Sequence, residues 1–239
     1  MVRKYFKKST KDKIQWRSHE PARIEAFSDA VFAFAISLLI ISLEVPKSSD
    51  ELLKSMRGFL PFFFCFLLIF YIWYEQYRFF RRFGMHDTLT NLLNGGLIFM
   101  VLFYMYPLKF LANLWMNREG YSFRGEDFVP IILVYNGGFV VIFLLFAAMY
   151  WNAWMKNEEI GLTEMELFET KSSMYSHLYA ACVGIVVILI CLFGGRYAPA
   201  GMGAYGLMGG MSVLDGVRKN RFHKRFGNVP MKEPLHGTE

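Results

Sequence analysis

The sequence predicts an all-α membrane protein with six transmembrane helices. Its 239 residues are 54% hydrophobic and 18% aromatic, and only 19% are charged. A helix needs about 20 consecutive apolar residues to cross a bilayer. Several runs near that length contain no Asp, Glu, Lys or Arg: 58–74, 88–108, 128–155, 172–195 and 197–214. A soluble domain of this size would not hold so many uncharged runs.

The predicted helices follow these runs in chain order. The first ends at Pro46 and Lys47, because proline cannot continue a helix. The polar loop "NREGYSFRGED" separates the third helix from the fourth, and the Gly/Pro-rich turn "GGRYAPAG" makes a hairpin of the fifth and sixth. We therefore expect helices over 23–45, 53–80, 87–111, 127–155, 173–194 and 200–219.

The distribution of Lys and Arg predicts the orientation in the membrane. Six spans put both termini on one side, and cytoplasmic loops carry an excess of Lys and Arg. Of the 26 such residues, 19 fall in the termini and the loops on their side, and seven fall opposite. An N-terminal arm, 1–22, and a tail, 220–239, are thus expected to be cytoplasmic and to flank a membrane domain, 23–219. We attribute the net charge of +6 to contact with an anionic leaflet rather than with nucleic acid.

The first helix has one apolar face and a polar cytoplasmic end. Its uncharged part, 30–43, has only 14 residues, so the helix crosses a bilayer only if the preceding "RIEAFSD" continues it. At about 100° per residue, Ser37 lies on the flank of an apolar stripe, and Ser28 and Asp29 point away from that stripe. The stripe consists of Phe34, Leu38, Ile41 and Val45.

Ser28 and Asp29 are expected to face neighbouring helices. An unpaired carboxylate buried there would cost about several kcal/mol. We hypothesise that the two residues pin the first helix to the second and third. The alternative is that Asp29 reaches the cytoplasmic interface and stays hydrated. The candidate hydrogen-bond donors at matching depth are Trp73, Gln76, Arg78, Asn91 and Asn94.

The same stretch carries a family resemblance. The pattern R-x-x-x-F-S-D at the start of a first transmembrane helix resembles the signature of the transmembrane protein 175 family of potassium channels. The third helix has Pro107 near its end and also resembles the third helix of that family. The end of the second helix departs from it, because "WYEQYR" has Gln76 and Tyr77 where the family has two histidines. The positions that match the signature are Arg23, Phe27, Ser28 and Asp29.

The resemblance implies a potassium-selective channel that conducts passively. Four single six-helix chains would form a homotetramer in a prokaryotic cell membrane, with the first helices lining a central pore and K⁺ as the permeant ion. Phe34, Leu38 and Ile41 would form apolar constriction rings. Ser37 stands where bacterial relatives usually carry threonine, and its hydroxyl would offer oxygens to a dehydrating cation. Without the resemblance, ordinary helix packing is the expected role of the stripe.

Two other functional classes were considered. A secondary transporter would show internal repeats or broken helices, and the one candidate break is the pair Gly137 and Gly138. A membrane-embedded enzyme would need clustered acids or metal ligands, but the five histidines are scattered without metal-binding spacing. His177 is expected to be a hydrogen-bonded structural residue. The sequence therefore predicts neither an enzyme nor a bound metal or cofactor.

Overall fold

The protein is all-helical in the residues that this computed structural model describes. Those residues are 17, 22–40, 48–50, 53, 56, 59–115, 128–194, 203–207 and 216. Residues 203–207 form a 3₁₀ turn. Within the described ranges the longer elements are α1 (Arg23–Ile40), α2 (Phe59–Phe83), α3 (Thr88–Trp115), α4 (Phe128–Met155), α5 (Asn157–Ile160) and α6 (Glu164–Phe193).

The first four helices match the predicted ones closely. α2 continues three residues past the predicted end at residue 80, and α3 continues to Trp115 instead of residue 111. The last part of the first predicted helix, 41–45, lies outside the described residues. Most of the sixth, 200–219, also lies outside them, and its described residues 203–207 form a 3₁₀ turn instead of the predicted helix. Among the residues that the structure describes, three segments are long and apolar enough to cross a membrane: Thr88–Leu111, Val129–Met155 and Glu164–Phe193.

The start of the fifth predicted helix, at residue 173, was wrong. α6 begins nine residues earlier, at Glu164, because Thr163 caps its first turn. The Thr163 side chain accepts a hydrogen bond from the backbone N–H of Glu166, and the Glu166 carboxylate accepts one from the backbone N–H of Thr163. This reciprocal capping box satisfies amides that the first turn would otherwise leave unpaired. The apolar period begins only after this polar turn, which is why hydropathy placed the helix too late.

The long helices pack as a layered bundle. α4 packs along α6 on one side and against α3 on the other, and α1 contacts both α2 and α3. A Cβ added to Gly184 of α6 would lie 2.6 Å from a methyl of Val140. A Cβ added to Gly138 of α4 would lie 2.5 Å from the ring of Tyr104. Glycine thus permits close helix contact at both places.

The glycine pair of α4 lies inside a continuous helix. α4 runs unbroken from Phe128 to Met155 through Gly137 and Gly138. The second glycine makes room for the ring of Tyr104, whose hydroxyl donates a hydrogen bond to the Tyr135 carbonyl at 2.9 Å. The candidate transporter break is therefore a packing feature.

A cluster of polar side chains joins the α2–α3 loop to the end of α4. The carboxylate of Asp87 accepts hydrogen bonds from Thr90 Oγ1 at 2.6 Å and from Asn152 Nδ2 at 3.2 Å, and it lies 3.3 Å from Lys156 Nζ. Burial raises the pKa of Asp87, but these hydrogen bonds outweigh that effect and lower the pKa to about 2. These contacts fix the start of α3 against the end of α4.

Candidate functional site

α1 has one face packed against the protein and one face that is largely exposed. The packed face carries Phe32, Ala35 and Leu39, which belong to the main hydrophobic core. On the other face the side chains of Phe27 and Phe34 are 58% and 57% exposed. The remaining exposed residues of that face are Arg23, Ala26, Ala30, Ala33 and Ser37. The exposed face is therefore apolar apart from the Ser37 hydroxyl and from Arg23 at the start of the helix.

A chain of hydrogen bonds ties Ser28 to the next two helices. Asn94 Nδ2 of α3 donates to Ser28 Oγ at 2.9 Å, and Gln76 Nε2 of α2 donates to Asn94 Oδ1 at 2.6 Å. The Ser28 hydroxyl donates to the carbonyl of Ile24 at 2.8 Å. Ser28 and Asn94 are both 0% exposed. Three helices are thus joined through polar groups that water does not reach.

Asp29 is hydrogen-bonded and exposed at the same time. Trp73 Nε1 of α2 donates to Asp29 Oδ1 at 2.7 Å. The residue also borders a cavity of about 170 Å³ between α1 and α2. The cavity is lined by Glu25, Asp29, Trp73, Gln76, Tyr77, Phe80 and Arg81. Tyr77, one of the two residues that depart from the family pattern, stacks on Trp73 with ring centroids 5.6 Å apart.

Two of the candidate donors bond elsewhere in the described part of the chain. Arg78 Nη1 forms an ion pair with Glu75 Oε1 at 3.0 Å, three residues earlier on the same helix. Asn91 Nδ2 donates to the carbonyl of His86 at 3.0 Å. The guanidinium of Arg78 bonds to a carboxylate one turn away on its own helix. The amide of Asn91 bonds to a carbonyl of the adjacent loop. Of the five candidates, Trp73, Gln76 and Asn94 are the ones that form this network.

The exposure of the other predicted site residues depends on which face of α1 they occupy. Arg23 opens the helix and is exposed. Ser37 is exposed on the free face, and its hydroxyl donates to the carbonyl of Ala33 at 2.9 Å. Leu38 is half-buried at the edge of that face, and Ile41 lies outside the described residues.

Two buried acids, Glu25 and Glu75, were not singled out from the sequence, whereas His177 was expected to be a structural residue. Glu25 is buried, and its Oε1 accepts the backbone N–H of Ala22 at 3.3 Å and lies 3.6 Å from His86 Nε2. His177 is buried among aromatic rings with its Nε2 4.0 Å from Glu75 Oε2. The acids carry no local motif, and the contacts join residues far apart in the chain, so the sequence offered no signal for them.

Long apolar helices, and a first helix whose Ser28 and Asp29 bond to neighbouring helices, define an all-α, multi-pass membrane protein. The family model described as "Endosomal/lysosomal potassium channel TMEM175" matches residues 23–107. A potassium channel of Marivirga tractuosa is 38% identical over 191 residues, which cover 74% of this chain and 77% of that protein. A potassium channel of Chamaesiphon minutus is 32% identical over 128 residues, covering 49% of this chain and 63% of that protein.

Solved structures agree with the sequence matches. A crystal structure of a variant of the potassium channel MtTMEM175, in complex with a nanobody fusion protein, matches with a TM-score of 0.77 and 34% identity. The match covers 88% of this chain and 98% of that one. A TMEM175 homologue from Chamaesiphon minutus shares the fold, with a TM-score of 0.53 and 23% identity over 83% of this chain and 96% of that one. The chain belongs to the TMEM175 family of potassium channels and is a channel rather than an enzyme.

Proposed function

We propose that four copies of this chain surround a central axis and that K⁺ crosses the membrane passively between their α1 helices. The observation that carries the proposal is the division of α1 into two faces. One face is held against α2 and α3 by the core and by the Ser28–Asn94 hydrogen bond. The other face is largely exposed, and the side chain of Phe34 on it is 57% exposed. In a monomer such a face would meet lipid, whereas a tetramer would turn it toward the axis.

The constriction in this proposal is made of apolar rings. Phe34, Leu38 and Ile41 are spaced so that each would form a ring of four side chains at a different depth. A narrow apolar ring excludes water and so opposes ion passage until it widens. Phe34 has a bulky aromatic side chain, so its ring would narrow the pore further than an aliphatic side chain would.

Ser37 would supply the polar element of selectivity. Its hydroxyl hydrogen is directed to the carbonyl of Ala33, which leaves the lone pairs of its oxygen available to accept a cation. Four such oxygens around the axis would replace part of the hydration shell of K⁺. The sequence holds no T-V-G-Y-G segment that would present backbone carbonyls for this purpose.

We further propose that the channel lies in a bacterial cell membrane with both termini in the cytoplasm. The arm 1–22 and the tail 220–239 would flank a channel domain, 23–219. The excess of Lys and Arg on the side of the termini supports this orientation, and the relatives that match are bacterial.

The function is tested by K⁺ flux from liposomes that contain the purified protein. The wild type should release K⁺ down its gradient without a coupled ion. Flux no faster than from empty liposomes would refute the channel. Cross-linking that yields only monomers and dimers would refute the tetramer.

The roles of the α1 residues are tested by matched substitutions. Ser37→Ala should lower the preference for K⁺ over Na⁺, and Ser37→Thr should keep it, because only the second variant retains the hydroxyl. Phe34→Leu should raise the conductance. Phe99→Leu, which removes an exposed ring from α3, should leave it unchanged. Unaltered selectivity in Ser37→Ala would remove the assigned role of the hydroxyl.

A further inference from the structure

Arg17 belongs to the N-terminal arm, yet it contacts the scaffold that surrounds the foot of α1. Its backbone N–H donates to the carbonyl of Arg81 at 3.2 Å. Its guanidinium donates from Nε to the carbonyl of Ile160 at 3.1 Å and from Nη2 to that of Gly161 at 3.0 Å. Nη1 donates to the carbonyl of Arg82 at 3.4 Å. These acceptors come from the end of α2 and from the turn between α5 and α6.

The same guanidinium binds a buried carboxylate in a fork. Arg17 Nη1 and Nη2 lie 3.0 and 2.9 Å from the two carboxylate oxygens of Glu166. Glu166 is 0% exposed and is held in place by its capping box with Thr163. An arginine side chain has five N–H groups, and these contacts give an acceptor to each of the five.

The acceptors form a receptor that is specific for a planar guanidinium. Three carbonyls and one carboxylate converge on a single side chain, which is the geometry that suits arginine and not lysine. Lysine carries only three donors on a point charge and cannot form the fork. We call this set the Arg17 receptor: the carbonyls of Ile160, Gly161 and Arg82 with the carboxylate of Glu166.

We propose that Arg17 is a positioning residue that holds the foot of the pore helix away from the pore axis. This inference rests on the proposed function, in which α1 lines the pore. Apolar rings on four α1 helices tend to close on one another and exclude water. Outward attachments oppose that closure. The Ser28–Asn94 bond attaches the second turn of α1, and Arg17, six residues ahead of α1, attaches the chain before the helix begins.

The test is chemical rescue of Arg17→Ala by free guanidinium ion. The substitution empties the receptor, so α1 should move inward and K⁺ flux should fall about fivefold or more, the size of a typical conformational coupling, with unchanged preference for K⁺ over Na⁺. Guanidinium chloride at low millimolar concentration should refill the receptor and restore most of the flux. Methylammonium chloride, which lacks the fork, should not. Wild-type protein in the same salts measures direct pore block.

A matched control separates the receptor from the charge of the arm. Lys13→Ala removes one positive charge from the same arm and should leave the flux as in the wild type. Should Arg17→Ala fail to assemble, Arg17→Lys serves instead, and its flux should fall between that of the wild type and zero because three of the five donors remain.

The possible outcomes distinguish the two proposals. A wild type that does not conduct would refute the channel itself. A conducting wild type whose Arg17→Ala variant conducts equally well would overturn only the positioning role. So would a loss of flux that guanidinium and methylammonium repair equally, or a loss that guanidinium does not repair. Wild-type flux in Arg17→Lys would likewise overturn it.

Discussion

Replacing Asn94 with leucine tests the polar junction that joins α1, α2 and α3. Asn94 accepts from Gln76 Nε2 at 2.6 Å and donates to Ser28 Oγ at 2.9 Å, and all three residues are buried. Two hydrogen bonds between membrane helices are worth about 1 kcal/mol together. The Gln76 amide left without an acceptor adds about 1–3 kcal/mol. Asn94→Leu should therefore lower the free energy of unfolding by about 2–4 kcal/mol.

The same structure predicts that a second substitution repairs part of the damage. Gln76→Leu in the Asn94→Leu background removes the unsatisfied donor as well, so the double variant should be more stable than the sum of the two single effects by about 1–2 kcal/mol. Both quantities come from reversible unfolding in mixed detergent and SDS micelles, followed by tryptophan fluorescence. The protein concentration must be fixed, because assembly contributes to the apparent stability.

Asn91→Leu is the matched control for this experiment. Asn91 lies one turn earlier on α3 and is only half-buried, and its side chain bonds to a carbonyl of the adjacent loop, that of His86, instead of to another helix. The change in the free energy of unfolding should stay within about 0.5 kcal/mol. An Asn94→Leu variant no less stable than Asn91→Leu, or strictly additive single and double variants, would show that the buried junction does not hold α1 in place.

Two further predictions concern stability away from α1. The pKa of Asp87 is lowered from 3.8 to about 2 in the folded protein. The ionised carboxylate therefore stabilises the fold above its unfolded pKa, and this stabilisation is lost as the pH falls toward 2. Asp87→Asn should lack this pH-dependent loss of stability, and identical acid unfolding of the two proteins would contradict the prediction. Gly138→Ala should cost about 1–3 kcal/mol in thermal or denaturant unfolding, because the methyl would overlap the fixed ring of Tyr104. Gly137→Ala, where nothing lies within 4 Å, should be neutral or stabilising, and equal losses in the two variants would refute the close contact.

The start of α6 could have been predicted from the sequence, but the prediction missed it. The tetrapeptide from Thr163 to Glu166 has the spacing of a capping box, which marks a helix start whatever the hydropathy of the first turn. Hydropathy places the boundary of the apolar span, whereas the helix extends past that span into polar surroundings. The two kinds of signal report different boundaries of the same element.

The membrane class, the helical order and the two faces of α1 were determined by the amino-acid sequence alone. Uncharged runs and the 3.6-residue period are local properties of the chain, and they suffice to turn Ser28 and Asp29 away from Phe34. The family signature is equally local, since its matched residues, from Arg23 to Asp29, fit within two turns of α1.

The pairing of the polar side chains was decided only by the tertiary structure. Trp73, Gln76, Arg78, Asn91 and Asn94 were equal candidates by depth. Lateral helix packing brought Trp73 and Asn94 to α1 and Gln76 to Asn94. It left Arg78 paired with a carboxylate one turn away. A hydrogen bond forms only when donor and acceptor are placed to within a few tenths of an ångström. Here the two atoms belong to residues that are far apart in the chain. No local pattern encodes such distances; they follow from how closely the helices pack.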